Sequence, residues 1–314
     1  MTMQSRFRRF HEAIQLKRYN ENAGLVEKRD RVLRRLRENA PRSFEFFNQG
    51  SYAMGTGIKP LDGDYDIDVA IVFELNPHAF DPVEVKRWVY SAVASHTSRV
   101  EWRRSCITVY YQQAGEAVYH VDLAVMARTP NSRGFHLAIG KEHSADSQRK
   151  WQPDDRQGFI EAVENRFSGE EAAQFRRVIR YLKRWKDHHF SLEGRAAPTG
   201  LSLTVAAYKW FRPSQGSTWM GTEESDLAAT LNLVKDIRRN FSQVWDSDTN
   251  RSIPRLSLQF PNAPFDDVLK RMTHQQMEEF HQRIVKLDAW LEHANRTGSV
   301  TSLTSAFGDD FPDD

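Results

Sequence analysis

The chain has a single cysteine among its 314 residues, so it has neither a disulfide framework nor the thiols of a Cys-rich zinc motif. That residue, Cys106, sits in the apolar, strand-like run "RRSCITVYYQ", where a buried, inert thiol is expected. No stretch approaches the ~18 consecutive apolar residues that a membrane span needs. The N-terminal "MTMQSRFRRFHEAIQLKRYN" carries early arginines but not the apolar core of a signal peptide, so a cytoplasmic protein without membrane contact is expected. An excess of one charge is missing too: 44 Lys and Arg face 42 Asp and Glu, and the resulting +2 does not argue for wrapping a nucleic-acid duplex.

What is present is the composition of a globular protein, 39 % hydrophobic and 27 % charged, with eight tryptophans and nineteen phenylalanines to bury. A length of 314 residues exceeds the common single-domain size of ~100–150, which suggests two compact units sharing a cleft. Residues 5–38 read as two basic helices broken near Gly24, with apolar stripes at Phe7, Phe10 and Ile14 and at Val32, Leu33 and Leu36. From Phe44 to Ile139 the pattern turns to short β-rich runs ("SFEFFNQ", "YDIDVAIVF", "SCITVYYQ", "AVYHVDLAVMA", "GFHLAIG") with one helix near 82–96. After "WQPDD", where Pro153 and the aspartates resemble a helix start, the pattern is helical. The reading is an α+β protein with a mixed-sheet core in 1–150 and a helical domain in 151–314. Within the second half, "WDSDTNRSIPRLSLQFPNAP" reads as an irregular connection and "FGDDFPDD" as an acidic tail. The stripe Met277, Phe280, Ile284, Leu287 and Leu291 should pack inside its own bundle rather than zip to a partner.

Chemistry concentrates in "NQGSYAMGTGIKPLDGDYDIDVAIVF", residues 48–73. In a strand, residues two apart share a face, so Asp66 and Asp68 point the same way and lead into the apolar "VAIVF". Asp62 and Asp64, straddling Gly63 after Pro60, have turn composition. Two same-side carboxylates repel each other unless a hard cation or a shared proton sits between them. Asp122, in the apolar "YHVDLAV", is an odd place for an unpaired charge; if its strand lies beside that of Asp66 and Asp68, three carboxylates meet. Such oxygen ligands suit Mg²⁺ or Mn²⁺ and two-metal phosphoryl transfer. Gly50 and Ser51, directly after the first strand-like run, offer backbone N–H groups and a hydroxyl to phosphate oxygens; no Gly-Lys-Ser/Thr follows, so this is not a Walker A loop.

Gly-Ser, then Asp-x-Asp heading a strand, then a later strand aspartate ahead of a helical domain resembles the DNA polymerase β-like nucleotidyltransferase superfamily. Within it, "QGSYAMGTGIKPLDGDYDIDVAIV" is similar to the bacterial CD-NTases, the cGAS/DncV-like nucleotidyltransferases of antiphage signalling systems (CBASS). The resemblance implies a polymerase β-like core with a mixed sheet plus a C-terminal helical domain, two lobes around a central cleft. It implies that Asp66 and Asp68 hold two Mg²⁺ ions and that Asp122 completes the catalytic metal's site and helps deprotonate the attacking ribose hydroxyl. Gly50 and Ser51 would grip the donor triphosphate of an NTP, ATP among the substrates. A helix lysine and a serine opening the next helix would also touch it, here Lys183 in "RYLKRWK" and Ser202 in "TGLSLTVAAY". The product would be a cyclic di- or trinucleotide second messenger acting on a separate effector, with regulatory or conjugating proteins of the same system as partners.

From the residues alone, Lys183 stands at the edge of an apolar stripe, either reaching a cleft or belonging to a solvated face with Arg176, Arg177, Arg180 and Lys186. Ser202 is either a ligand contact or an early-helix residue behind Thr199 as N-cap. His120 is either a nucleotide contact or a satisfied strand histidine. His188 and His189 lack cysteine partners, so zinc-dependent DNA sensing is not indicated. Two other functions stay open: template-independent nucleotidyl transfer to RNA or another hydroxyl, and a non-enzymatic scaffold binding RNA or a partner.

Overall fold

The computed structural model describes residues 1–16, 21–112, 118–130, 134–191, 197–218 and 221–313. It divides into two compact units, residues 16–161 with 262–264, and residues 1–15 with 162–261 and 265–314. The first helix, α1 (Met3–Ile14), thus belongs with the C-terminal elements rather than with the sheet.

The sheet unit opens with α2 (Glu21–Asn39), β1 (Glu45–Asn48), a single helical turn α3 (Gly50–Ala53) and β2 (Asp64–Glu74). Gly24 lies inside α2 and does not break it: a Cβ there would stand 3.6 Å from the Tyr119 ring, so the small residue permits close packing. Next come α4 (Pro82–Val93), β3 (Arg99–Trp102), β4 (Ile107–Tyr111), β5 (Val118–Arg128), β6 (Phe135–Ile139) and β7 (Lys150–Asp154). Helix α4 starts where Asp81 accepts from the N–H groups of Val83 and Glu84 and Pro82 takes the first turn. Pro153 sits in β7, an edge position that needs no donor; the following helix, α5 (Arg156–Glu164), begins only after it.

The strands form a sheet in the order β1-β2-β5-β4-β3, and β6 pairs with the far half of β5 and with β7. Among the described residues only β2 and β5 pair in parallel; the other pairs of this sheet are antiparallel. Alternation gives the two faces different fates. Ile67, Val69, Ile71, Val121, Leu123 and Val125 are buried in one core with Leu33 and Leu36 of α2 and Val85 and Val89 of α4. The other face carries a small apolar cluster, Ala70, Val72, Ala124 and Met126 among it. Asp66, Asp68 and Asp122 continue that second face toward the strand starts.

In the helical unit, α6 (Gly169–His189) and α7 (Gly200–Trp210) precede a hairpin of β8 (Gln215–Thr218) and β9 (Gly221–Glu224). Helix α8 (Asp226–Arg239) is followed by a second hairpin, β10 (Ser242–Asp246) and β11 (Arg251–Arg255). The stretch expected to be irregular is therefore a regular antiparallel ribbon over part of its length, too short for its alternation to stand out. Helix α9 (His274–Thr297) has a capping box, Thr273 with Gln276, and ends at the left-handed Gly298. Its stripe Met277, Phe280, Ile284, Leu287 and Leu291 is fully buried in its own unit, as expected.

After α10 (Val300–Phe307) the chain does not trail away as a tail. Phe311 is buried, with its ring 5.2 Å from that of Phe7 and 5.3 Å from that of Phe10; Arg184 pairs with Asp310 at 3.0 Å, and Arg6 donates to the Pro312 carbonyl at 3.1 Å. Two aromatic anchors among the acids, Phe307 and Phe311, explain the docking.

Candidate active site

The site begins with a register. Parallel pairing of β2 with β5 sets Asp68 opposite Asp122 and Asp66 opposite His120. On the other side of β5, Thr108 of β4 stands opposite Asp122, and its hydroxyl donates to that carboxylate. Strand spacing is ~4.8 Å, so the three acids occupy adjoining positions on one face. Asp66 is exposed, and Asp68 and Asp122 are half-buried.

Electrostatics follow from this crowding. Burial pushes the Asp68 carboxyl up from 3.8 to about 7, and repulsion from Asp66 and then Asp122 adds to it, against partial relief from Arg156 and His120. The nearby Cys106 thiol is pushed up to about 11 by burial and by Asp122, so it stays protonated, as its strand context predicted.

Gly50 closes over the pair. Its φ is +64°, and a Cβ on it would lie 1.9 Å from Oδ2 of Asp68; no other residue type fits both the backbone and the space. The preceding Gln49 N–H donates to the Asp68 carbonyl at 2.8 Å, which fixes the turn to the strand. Ser51 follows in α3, half-exposed, and its carbonyl accepts from the Thr56 N–H at 2.9 Å.

The two turn aspartates part ways. Asp62 is exposed and accepts from the Asp64 N–H at 3.1 Å, a local Asx contact. Asp64, expected in the turn, is instead the first residue of β2 and meets Nδ1 of His120 at 2.9 Å. The cause is the length of β5, whose pairing with β2 runs from Val118 and captures Asp64. His120 is thereby satisfied, with the Tyr110 ring 5.5 Å away.

Lys183 and Ser202 belong to the helical unit. Lys183 is buried, not part of a solvated face, and its Cε stands 3.4 Å from where a Gly200 Cβ would be, at the start of α7. The same holds for its helix neighbours: Arg177 is buried against Asp226 at 2.7 Å, and Arg184 is buried too. Thr199 is the N-cap, accepting from the Ser202 N–H at 3.1 Å, while the buried Ser202 hydroxyl donates to the Thr199 carbonyl at 2.7 Å. The structure therefore gathers Lys183 and Ser202 at one helix start and Gly50, Asp66, Asp68 and Asp122 at one strand start.

Residues 44–126 match the family model described as cyclic GMP-AMP synthase DncV-like, nucleotidyltransferase domain. This stretch is therefore similar to the DncV-like nucleotidyltransferase domain. Over its length the chain is similar in fold to the CD-NTase CdnG of Bradyrhizobium diazoefficiens, solved with GTP (TM-score 0.70, 17 % identity, 98 % of this chain and 96 % of that one). It is also similar to CdnC of E. coli MS115-1 with ATP (TM-score 0.65, 14 % identity, 98 % of each chain). Vibrio cholerae DncV in its apo form gives a TM-score of 0.59 at 18 % identity over 86 % of this chain and 70 % of that one. The fold is thus that of the CD-NTases, a polymerase β-like core with a mixed sheet and a helical part.

Among the described residues no three His, Cys, Asp or Glu side chains already stand in metal-ligating geometry. The donor set at this strand end nevertheless fits a hard divalent cation. Three carboxylates share one strand end, all donors are oxygen, and the burial and, after it, the mutual repulsion that lift Asp68 to about 7 are what a bound 2+ charge would offset. Thr108 and Arg156 were not found from sequence: Thr108 looks like any strand threonine until the β4–β5 register is known, and Arg156 pairs with Asp154 at 3.1 Å as an ordinary helix-start contact.

Proposed function

We propose that this chain is a Mg²⁺-dependent nucleotidyltransferase that makes a cyclic di- or trinucleotide from NTPs, as a second messenger of a bacterial antiphage system. The observation that carries it is the convergence of Asp66, Asp68 and Asp122 on one strand end, with Gly50 folded directly onto Asp68. The linear intermediate pppA(3′,5′)pG bound to Vibrio cholerae DncV, and GTP and ATP bound to its structural neighbours, support the substrate class.

Asp66, Asp68 and Asp122 would hold Mg²⁺, two ions in all, which supply charge neutralisation for the triphosphate and acidity for the attacking hydroxyl. Gly50 and Ser51 would bind the donor triphosphate through backbone N–H and hydroxyl, and Lys183 and Ser202 are further proposed triphosphate contacts. Asp122, held by the Thr108 hydroxyl, orients the acceptor and helps take the proton from its 2′- or 3′-oxygen. That oxygen bonds to the α-phosphorus, the α–β phosphoanhydride bond breaks, and pyrophosphate leaves. In the linear product the free ribose hydroxyl then attacks the α-phosphorus of the remaining 5′-triphosphate, which closes the ring and releases a further pyrophosphate. The chemistry rests on alignment and charge more than on a poised base, in keeping with a site of acids beside which His120 is engaged by Asp64. Action in the cytoplasm, on an effector reached through the product, completes the reading. A regulatory protein partner is supported by the CdnC complex with a HORMA protein.

The test is incubation of the protein with labelled NTPs, singly and together, with Mg²⁺ or Mn²⁺, followed by phosphatase and mass spectrometry. Phosphatase-resistant cyclic oligonucleotide is the expected result. Extended RNA alone would favour template-independent transfer to an RNA end, and no turnover even with partner proteins supplied would overturn the proposal.

A further inference from the structure

Within the sheet unit, Arg104, Lys141, Ser144, Ser147, Gln148 and Lys150 line a depression of about 570 Å³, a lining to which Asp66, Asp68 and Asp122 do not contribute. Every acid in the 140–150 segment is already engaged: Glu142 pairs with Arg87 at 2.7 Å and Asp146 with Arg149 at 3.5 Å. Among the described residues the side chains of Arg104, Lys141 and Lys150 have no such partner. Three uncompensated cations therefore face one hollow, beside the Ser147 hydroxyl and the Gln148 amide, with no aromatic ring in the lining.

The hollow is also rigidly built. Lys86 is fully buried, and its ammonium donates to the carbonyls of Arg103 (2.7 Å), Arg104 (3.1 Å) and Gly140 (2.8 Å). The Gly140 N–H donates to the Arg104 carbonyl at 2.9 Å, and the Trp102 indole to the Gly140 carbonyl at 3.0 Å. One buried cation thus ties the β3–β4 turn carrying Arg104 to the strand end carrying Lys141. Holding three like charges together costs free energy through repulsion, and preorganising them makes sense only where a multivalent anion cancels it.

We propose that this depression, whose lining includes none of the three strand carboxylates, is a binding site for a chain of phosphate groups. Cations and neutral donors supply charge-assisted hydrogen bonds to phosphate oxygens. The missing aromatic surface means that the phosphates are recognised and a base is not. The phosphates belong either to a small oligophosphate or to a nucleic-acid backbone, which share this chemistry.

Calorimetric titration with inorganic tripolyphosphate and with a 20-nucleotide single-stranded oligonucleotide, in EDTA so that the carboxylates repel anions, tests it. Wild-type protein should bind tripolyphosphate one-to-one and lose affinity steeply with salt, and R104Q, K141Q and K150Q should each weaken it about fivefold. The triple variant, its fold checked by circular dichroism and melting, should abolish binding. Oligonucleotide binding that needs the same three residues and exceeds that of tripolyphosphate identifies a nucleic-acid backbone; the reverse order identifies a small oligophosphate. If wild type binds neither probe, or if the triple variant binds both as wild type does, the proposal fails. Neither result bears on nucleotidyl transfer, which is read separately by product formation.

Discussion

Two half- or fully buried aspartates of this protein have opposite surroundings. Asp226, at the start of α8, accepts from Arg177 at 2.7 and 2.9 Å, from the Tyr181 hydroxyl at 2.8 Å and, through its own N–H, donates to Gln4 at 2.8 Å. Those partners hold its carboxyl below the usual carboxylate range despite its burial. Asp68 is pushed up to about 7 by burial and, after it, by its carboxylate neighbours Asp66 and Asp122. A charge that serves only stability is surrounded by donors, whereas a charge that serves a ligand is left costly until the ligand arrives.

The contrast can be broken at its catalytic end by Asp68→Asn. Product formation should fall by about 10³-fold or more, read by the nucleotide assay. The same variant should melt higher than wild type without metal at pH 8, because the amide removes a charge that the fold disfavours. At the structural end, Arg177→Met leaves Asp226 buried without its cation and should cost about 3 kcal/mol or more in denaturant unfolding, with product chemistry unaffected in the fraction still folded. Gly50→Ala sets a methyl into the Asp68 carboxylate and forces a left-handed alanine. About 2 kcal/mol of stability and roughly 10- to 100-fold in rate should be lost, checked by melting and turnover.

Titration sharpens the comparison further. The folded pKa of Asp68 lies above its unfolded value, so the stability penalty it imposes is absent below 3.8, grows as pH rises, and is complete above about 7. Asp226 has the opposite sign: its contribution is present above the unfolded pKa and is lost as pH falls through the folded one. Melting of metal-free protein from pH 4 to 8 should therefore drop for wild type relative to Asp68→Asn, and Mg²⁺ should remove the difference at pH 8. Asp62→Asn should have the smallest effect, under about twofold in rate, since its carboxylate serves only a local turn.

Much of the site was legible because its signals are local. The two-residue spacing of Asp66 and Asp68, the glycine at 50 and the buried context of Asp122 all announce themselves in the chain. What needed coordinates was pairing over distance. No local pattern tells that Thr108 supports Asp122, that Asp64 is drawn into β2 by Val118, or that Arg177 on a cationic helix face finds Asp226 some fifty positions away. The closing acids misled for the same reason: charge density suggested a tail, while Phe307 and Phe311 decided the packing.

The parallel pairing of β2 with β5 has a consequence for the order of events in folding. Asp68 and Asp122 are 54 positions apart, and α4, β3 and β4 lie between them, so they come together only when a long crossover closes. A nascent or partly folded chain carries all three acids yet has nowhere to hold a cation. On the proposed function, metal capture would be reserved for the finished sheet, and every ion bound would add its binding free energy to that state alone.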